Sequence, residues 1–175
     1  MSSLVITVVP ETTPLDPSAH GGIEPYFRAH YTRLVRALAL AYGDTDAAAD
    51  AVQEAFARAH ARWRTLQHYD DPVGWVRRVA LNLLHDEHRR DVRKRRAIDR
   101  LAAEPAAVEP TDEPGGLADL LDALPRQQRI AVSLFYVEGL AVAEVAEAMG
   151  LATGSVKSHL HDARRRLRAQ LEEGA

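Results

Sequence analysis

Residues 72–90 constrain the fold of this chain most strongly, because their apolar side chains share one surface only if the segment is helical. These apolar residues recur at the three- and four-residue spacing of a helix: Val76, Val79, Ala80 and Leu83. The opposite face of the predicted helix carries Trp75, Arg78, Asn82, His85 and Arg89. Such side chains can stack on bases, pair with phosphates and hydrogen-bond to base edges. An ordinary solvated face of a core helix is the alternative interpretation.

The capped start of this helix and the helical spacing of apolar residues in the rest of the chain predict an all-α fold. Asp71 is a suitable N-cap, and Pro72 fits the first helical position. After residue 22 the chain shows repeated helical spacing and no useful strand-like alternation. A turn at 43–46 ends the first helix and caps the second. The predicted helices cover 25–41, the stretch from this turn to 63, then 72–90, 117–124, 125–137, 140–148 and 154–171.

Three of these helices carry apolar stripes that should face a core. Each stripe follows the helical period and leaves polar residues on the remaining surface. The residues expected to be buried are, helix by helix, Phe27, Tyr31, Leu34, Val35 and Leu38; Val52, Phe56, Ala59 and Trp63; and Val156, Leu160, Ala163, Leu167 and Leu171.

Charge is distributed unevenly along the chain and divides it into parts. The net charge of the 175 residues is only −3, but residues 89–96 contain six basic residues and one acid. Residues 101–125 contain six acids and no lysine or arginine, and the C-terminal helix is basic again. Prolines and glycines within 101–116 indicate a flexible linker. We predict a flexible tail at 1–22, a helical domain at 23–100, the acidic linker at 101–116 and a second helical domain at 117–172.

Composition also limits the possible chemistry and compartment. The chain has no cysteine, which excludes disulfides and thiolate metal sites and fits a reducing cytoplasm. The first residues lack a basic leader, and their apolar run is too short to span a membrane. We therefore expect a cytoplasmic protein with no membrane association, no metal and no cofactor.

Residues 140–156 have the order of a helix-turn-helix. Small apolar residues allow two helices to approach closely, Gly150 can adopt the left-handed turn, and Thr153 can cap the second helix. In this motif the N-terminal part of the second helix enters the DNA major groove. Asp162 would repel phosphates unless it pairs with Arg165 or accepts from a cytosine amino group. A helical hairpin that does not bind DNA is the alternative.

With these segments placed, the chain resembles a bacterial RNA polymerase sigma factor of the extracytoplasmic-function (ECF) group, which has only regions 2 and 4 of larger sigma factors. Residues 50–56 resemble the helix that docks on the clamp of the largest polymerase subunit. Residues 72–90 resemble the helix that reads and opens the minus-10 element. Residues 124–167 resemble the region that reads the minus-35 element. The similarity covers about residues 23–171.

The resemblance implies roles for individual residues. Core-polymerase binding falls to Asp50, Gln53 and Glu54. Binding of single-stranded minus-10 DNA falls to Gln67, His68, Tyr69, Asp70, Trp75, Arg78, Asn82, His85 and Arg89, with Asn82 beside the pocket for a flipped base. Minus-35 recognition falls to Gly154, Ser155, Lys157, Ser158, His161, Asp162 and Arg165. Two positions depart from the family pattern: Ala141, where a capping serine is common, and Asp162, where a basic residue is common.

The implied function is that of an initiation factor and not of an enzyme. Such a factor positions polymerase on promoters and promotes DNA opening while the polymerase forms the bonds. The implied partners are promoter DNA, the clamp of the largest polymerase subunit and the flap of the second-largest subunit, with an anti-sigma factor as a further candidate. Because the chain is acidic overall, we expect weak DNA binding by the free protein, and core polymerase as its first partner.

Three other functions were considered, and each of them explains less of the sequence. A stand-alone helix-turn-helix regulator leaves Gln53, Glu54 and the Trp75–Arg89 face unexplained. A metal-dependent enzyme is suggested by the eight histidines, but His85 and His88 lack the i, i+4 spacing of helical zinc hydrolases. A membrane-surface protein requires a large exposed apolar helix face, which the basic helices do not have.

Overall fold

The computed structural model describes residues 22–99 and 116–173, and within these ranges the fold is all-α, as predicted. The helices are α1 (Glu24–Tyr42), α2 (Thr45–Ala61), α3 (Trp63–Leu66), α4 (Pro72–Asp99), α5 (Leu117–Asp122), α6 (Arg126–Val132), α7 (Val142–Met149) and α8 (Thr153–Glu173). A π-helical turn, Ser133–Val137, continues α6. Helices α1–α4 form an N-terminal unit and α5–α8 a C-terminal unit. The tail and nearly all of the predicted linker lie outside the described residues, so the predicted domain boundaries stay predictions.

Turn residues set where the first helices begin and end. Gly43 has a left-handed φ of 74°, and its N–H donates to the Ala39 carbonyl, which closes α1. Asp44 then caps α2 by accepting a 2.9 Å hydrogen bond from the Ala47 N–H. Asp71 caps α4 in the same way, with 2.8 Å from its Oδ1 to the Gly74 nitrogen. The predicted turn at 43–46 and the predicted cap at Asp71 are therefore confirmed.

The N-terminal unit packs α1, α2 and α4 together through small and branched apolar side chains. Leu34 and Leu38 of α1 are fully buried, as are Val52 of α2 and Ala80 of α4. The expectation that Phe27 points inward is wrong, since 37% of this residue is exposed. Its ring stacks on Tyr31 and meets the edge of Phe56, because Phe27 lies in the first turn of α1 and packs against the core only through these two rings.

The C-terminal unit contains the predicted helix-turn-helix, formed by α7 and α8. Gly150 has a left-handed φ of 65° and ends α7. Thr153 does not act as the predicted cap: it is the first helical residue, and the Val156 N–H already bonds to the Ala152 carbonyl. Ala141 has no side-chain acceptor, so only Glu144 contributes at the start of α7, with 2.7 Å from its Oε2 to the Ala141 nitrogen.

The predicted stripe of α8 is buried over only part of its length. Val156, Leu160 and Ala163 are buried and Leu167 is partly buried. Leu171 was expected inside, but 59% of it is exposed. Helical spacing gives the direction in which Leu171 points, whereas its burial depends on how far the neighbouring helices extend.

The two units pack against each other. Helix α1 contacts α6 and the π-helical turn, and α4 contacts α7. The buried residues of both units belong to one contiguous apolar cluster, which includes Leu38 and Ala80 of the first unit and Leu134 and Val145 of the second. The order of the helices was predictable, but this mutual packing was not.

Candidate nucleic-acid interface

The polar face of α4 lies along one side of the N-terminal unit. Arg78, Asn82 and Arg89 are exposed, whereas Trp75 and His85 are partly buried. At 1.5 Å per residue the face is about 20 Å long. It presents an aromatic ring at one end, an amide in the middle and a guanidinium at the other end. The structure therefore places all five predicted side chains on one face, although two of them are less accessible than expected.

The predicted pocket loop, residues 67–70, is exposed and directly precedes α4. Its backbone is tied to α3, since the Tyr69 N–H donates to the Leu66 carbonyl at 3.0 Å. Gln67 Nε2 donates to the Arg64 carbonyl at 3.2 Å and lies 3.4 Å from His68 Nε2. Because Asp71 caps α4 immediately afterwards, the loop is held next to the Trp75 end of the α4 face.

Arg62 also belongs to this surface, which no pattern in the sequence predicts. It follows the last residue of α2, and its guanidinium carbon lies 6.0 Å from the centroid of the Trp75 ring. This distance is within the range of a cation–π interaction. Helical spacing within α2 and α4 carries no information about this contact, because it depends on how the two helices cross.

The proposed polymerase-binding residues form a patch on α2. Asp50, Gln53 and Glu54 are all exposed, and their spacing of three and four residues puts them on one side of the helix. Glu54 Oε1 lies 2.7 Å from Arg58 Nε in an exposed ion pair. This patch is acidic and polar, and its side chains are accessible to a partner.

The face of α8 opposite its buried stripe carries the predicted DNA-reading residues. Six of them are exposed: Gly154, Ser155, Lys157, Ser158, His161 and Arg165. Asp162 is partly buried, and its Oδ1 lies 3.5 Å from Arg165 Nη2. One of the two compensations foreseen for this acid, pairing with Arg165, is therefore present. Ser158 Oγ donates to the Gly154 carbonyl at 3.1 Å.

The sequence does not predict the ion pair that joins the two units, between Arg77 and Glu138. Arg77 Nε lies 2.6 Å from Glu138 Oε1, with only 7% and 5% of the two side chains exposed. Burial raises the pKa of Glu138, and the Arg77 charge partly offsets this shift. Arg77 Nη1 also lies 3.7 Å from Asp71 Oδ2. No periodic pattern links Arg77 to Glu138, because their proximity follows from packing between the units.

The histidines and acids do not assemble into a metal centre anywhere in residues 22–99 and 116–173: no three potential ligands cluster there. Likewise, none of the helices in the described part of the chain is long and apolar enough to cross a membrane.

Comparisons with known proteins assign the two units to a family. Residues 27–102 match Sigma-70 region 2, and residues 116–167 match Sigma-70 region 4. The chain is 32% identical over 150 residues to the RNA polymerase sigma-E factor of Streptomyces coelicolor, covering 85% of each chain. It is 33% identical over 139 residues to the ECF RNA polymerase sigma factor SigL of Mycobacterium tuberculosis, covering 75% of this chain and 78% of SigL. The chain belongs to the ECF group of RNA polymerase sigma factors.

Solved structures agree with this assignment at the level of the fold. The sigma factor RpoE, in its complex with the anti-sigma factor NepR from Bartonella quintana, matches with a TM-score of 0.70 and 23% identity. That match covers 86% of this chain and 96% of RpoE. CnrH, in complex with the cytosolic domain of CnrY, matches with a TM-score of 0.60, 24% identity and coverage of 87% and 89%. As an ECF sigma factor, the chain directs RNA polymerase to promoters in transcription initiation.

Proposed function

We propose that this sigma factor divides its task among three surfaces. The α2 patch binds the clamp of the largest polymerase subunit, the α4 face and the 67–70 loop bind the minus-10 element, and the start of α8 reads the minus-35 element. The observation that carries the proposal is the placement of the residues, since nearly all of them are exposed on three separate faces. The protein contributes positioning and no covalent chemistry.

At the minus-10 element, the α4 surface would hold a single strand of DNA. Trp75, with Arg62 over its ring, offers a stacking platform, while Arg78 and Arg89 attract phosphates. Asn82 provides both donors and acceptors for the edge of an unstacked base. Unstacking a base costs a few kcal/mol, which these contacts offset. The adjacent loop at 67–70 would close over the same base.

At the minus-35 element, α8 would insert its N-terminal half into the major groove. Lys157, Ser158 and His161 point away from the core and can reach base edges. The ion pair between Asp162 and Arg165 neutralises the acid that would otherwise repel phosphates. This pair gives the surface a charge pattern of its own, so its preferred sequence is not that of family members with a basic residue at this position.

The further partners and the compartment follow from the same proposal. Core polymerase binds first, because the net charge of −3 disfavours DNA binding by the free chain. The protein acts in the cytoplasm together with the polymerase, and its C-terminal unit also contacts the flap of the second-largest subunit. An anti-sigma factor is a candidate regulator, since the similar RpoE was solved with the anti-sigma factor NepR.

Reconstitution with core RNA polymerase tests the proposal directly. The purified chain is mixed with core enzyme, and transcription start sites are mapped on genomic DNA with and without it. We expect a set of start sites that requires the chain and shares minus-35 and minus-10 elements. A chain that binds promoter DNA tightly at physiological salt without binding core polymerase would instead be a stand-alone regulator.

A further inference from the structure

The contact between Arg62 and Trp75 joins two parts of the chain whose backbones are both held in place. Arg62 lies at the junction of α2 and α3, where its N–H donates to the Ala59 carbonyl at 3.1 Å. Its own carbonyl accepts hydrogen bonds from the Thr65 and Leu66 nitrogens at 2.9 and 3.1 Å. The Leu66 side chain is buried in the core. The Cα atom from which the Arg62 side chain extends therefore has a fixed position.

Trp75 is fixed at the start of α4 by the Asp71 cap. Asp71 Oδ1 accepts a hydrogen bond from the Gly74 nitrogen at 2.8 Å, and the Asp71 carbonyl accepts one from the Trp75 N–H at 3.3 Å. A side chain at Gly74 would displace the Asp71 carboxylate from this cap, so glycine is needed in this turn. Because Trp75 is partly buried, only part of its ring is open to a ligand.

The Arg62 guanidinium is exposed, and its hydrogen-bonding capacity is unused in the part of the chain that the structure describes. Within that part it makes no ion pair and donates no hydrogen bond, whereas Arg58, one turn earlier, is paired with Glu54 at 2.7 Å. Its contact is with the Trp75 ring. Arg62 is therefore held beside an aromatic ring while its charge and its five N–H donors remain available.

The spacing between this guanidinium and the ring is suited to the entry of one planar group. The guanidinium carbon of Arg62 lies 6.0 Å from the Trp75 centroid, whereas that of Arg126 lies 4.7 Å from the Tyr42 centroid. Stacked bases are about 3.4 Å apart, so groups on opposite faces of one base are separated by about 7 Å. A displacement of about 1 Å would admit a base, and exposed side chains make such movements readily.

We infer that Trp75 and Arg62 clamp one unstacked base of the minus-10 strand, with the ring on one face of the base and the guanidinium on the other. Bases stack on aromatic rings and on guanidinium planes, and such stacking tolerates any base. Asn82 lies seven residues further along α4, or about 10 Å along the helix axis, so the clamp and Asn82 hold different bases. The inference rests on the proposed function, which brings the strand to α4.

Arg62→Lys separates the clamp from simple attraction of phosphates. Lysine keeps the positive charge but has no planar group that could lie on a base. In polymerase reconstituted with this variant, we expect the ratio of open to closed promoter complexes to fall by about fivefold or more. Permanganate reactivity of unpaired thymines measures opening, and binding to the closed promoter should be unchanged. Normal opening by Arg62→Lys would overturn the inference, because charge alone would then be sufficient.

Arg64→Lys is the matched control for this variant. Arg64 is exposed on α3, two residues after Arg62, and its guanidinium lies over no aromatic ring among the described residues. The same chemical change at this position should leave promoter opening unaltered. An equal loss in Arg64→Lys would assign the effect to the general basic character of this region and would contradict the clamp.

Fluorescence of 2-aminopurine locates the clamped base directly. This base analogue is bright when it is unstacked and dark when it is stacked, and it is placed at each position of the non-template minus-10 strand in turn. Templates with a preformed bubble remove differences in opening. We expect one position that stays dark with the unaltered chain and becomes several-fold brighter with Arg62→Lys. If no position responds in this way, no base is held between the two side chains.

A double-variant cycle tests whether Arg62 and Trp75 act on the same base. Trp75→Leu removes the ring but keeps an apolar side chain at this partly buried position. If the base lies between the two side chains, Arg62→Lys should reduce opening much less in the Trp75→Leu chain than in the unaltered chain. Fully additive losses would show that the two side chains act separately, and the clamp would be wrong.

The Asn82→Ala variant and the unaltered chain separate this inference from the proposed function. Normal opening by Arg62→Lys together with impaired opening by Asn82→Ala overturns the clamp and leaves the proposed function intact. If the unaltered chain neither binds core polymerase nor opens promoter DNA, the proposed function fails, and the clamp fails with it. Loss of opening in Arg62→Lys with normal binding of core polymerase is the result that supports both.

Discussion

The face of α8 proposed to read DNA carries an acid whose charge is compensated by a neighbouring residue. Asp162 is the only acid on this face, and Arg165 lies one turn later with 3.5 Å between the charged groups. An exposed pair of this kind contributes little to stability. Under the proposed function, its effect is on the charge that α8 presents to DNA, because Asp162 partly neutralises Arg165.

Replacing Lys157 by alanine should weaken promoter recognition at one minus-35 position. A bidentate base contact is worth about 1–3 kcal/mol of discrimination. Binding of polymerase containing the variant is measured against promoter fragments substituted at each minus-35 position. Arg168→Ala is the matched control, since it removes an exposed charge near the other end of α8. Equal weakening on every fragment would assign Lys157 to a phosphate contact.

Asn82→Ala should impair promoter opening while leaving polymerase binding nearly unchanged. The variant loses hydrogen bonds to an extruded base, at a cost of about 1–3 kcal/mol in the open complex. Opening is followed by the fluorescence of 2-aminopurine placed in the minus-10 element. Gln127→Ala, at an exposed amide on α6, controls for general effects of losing an amide. Loss of polymerase association in Asn82→Ala would show that the pocket assignment is wrong.

Helix α4 has three sides with different surroundings: two pack against other helices, and the third faces solvent and is proposed to bind DNA. One side packs into the N-terminal unit through Val76 and Ala80, which are buried. Another side meets the C-terminal unit through Arg77, and the remaining side carries Asn82 and Arg89 toward solvent. The apolar stripe visible in the sequence accounts only for the first of these three sides.

Helix α2 has a wholly apolar buried side and an exposed acidic-polar patch. Mutations in the patch should therefore test polymerase binding without disturbing the core. The double variant Gln53→Ala with Glu54→Ala should bind core polymerase at least about tenfold more weakly, or ~1.4 kcal/mol. Both positions are exposed, so the free energy of unfolding should change by no more than about 0.5 kcal/mol. Titration with labelled core enzyme measures the first quantity, and urea unfolding measures the second.

The matched control for this double variant is Glu24→Ala, which removes an exposed carboxylate from α1. It should bind core polymerase as the unaltered chain does. Unchanged binding by the α2 double variant, with the control behaving as expected, would place the polymerase contact on another surface.

For the whole molecule, the pKa values of several groups on different helices are shifted by burial and by neighbouring charges. Burial lowers the pKa of His30, and the Arg77 and Arg33 charges lower it further. Burial and Arg126 of the other unit lower the pKa of His88. Burial raises the pKa of Glu138, as noted above. The stability of the molecule should therefore depend on pH through groups close to the interface.

The unfolding free energy should decrease as the pH falls below 6.5, the ordinary pKa of histidine. Below that value the unfolded chain takes up protons that folded His30 and His88 resist, so their stabilising effect is lost toward the folded pKa. Glu138 acts in the opposite direction, because its folded form gains a proton more readily than its unfolded form. Urea unfolding at several pH values should show a shallower decrease for His30→Gln. Thr32→Ala, at an exposed position on α1 that carries no titratable group, should leave the slope unchanged.

The sequence by itself determined most of the helices, their order and the helix faces on which the proposed reading residues lie. Helical spacing is a local property, so Trp75, Asn82 and Lys157 were placed on the correct faces from their positions in the chain. Caps such as Asp71 were equally readable, because a cap bonds within its own turn. Short-range geometry is sufficient for all of these features.

Only the tertiary structure decided which helix faces meet. The burial of Arg77 against Glu138, the contact of Arg78 with Glu147 and the position of Arg62 over Trp75 join residues whose proximity no periodic pattern encodes. The exposure of Leu171 has the same origin, since it depends on where neighbouring helices end. These contacts arise from packing between elements, and they decide which parts of the proposed binding surfaces are accessible.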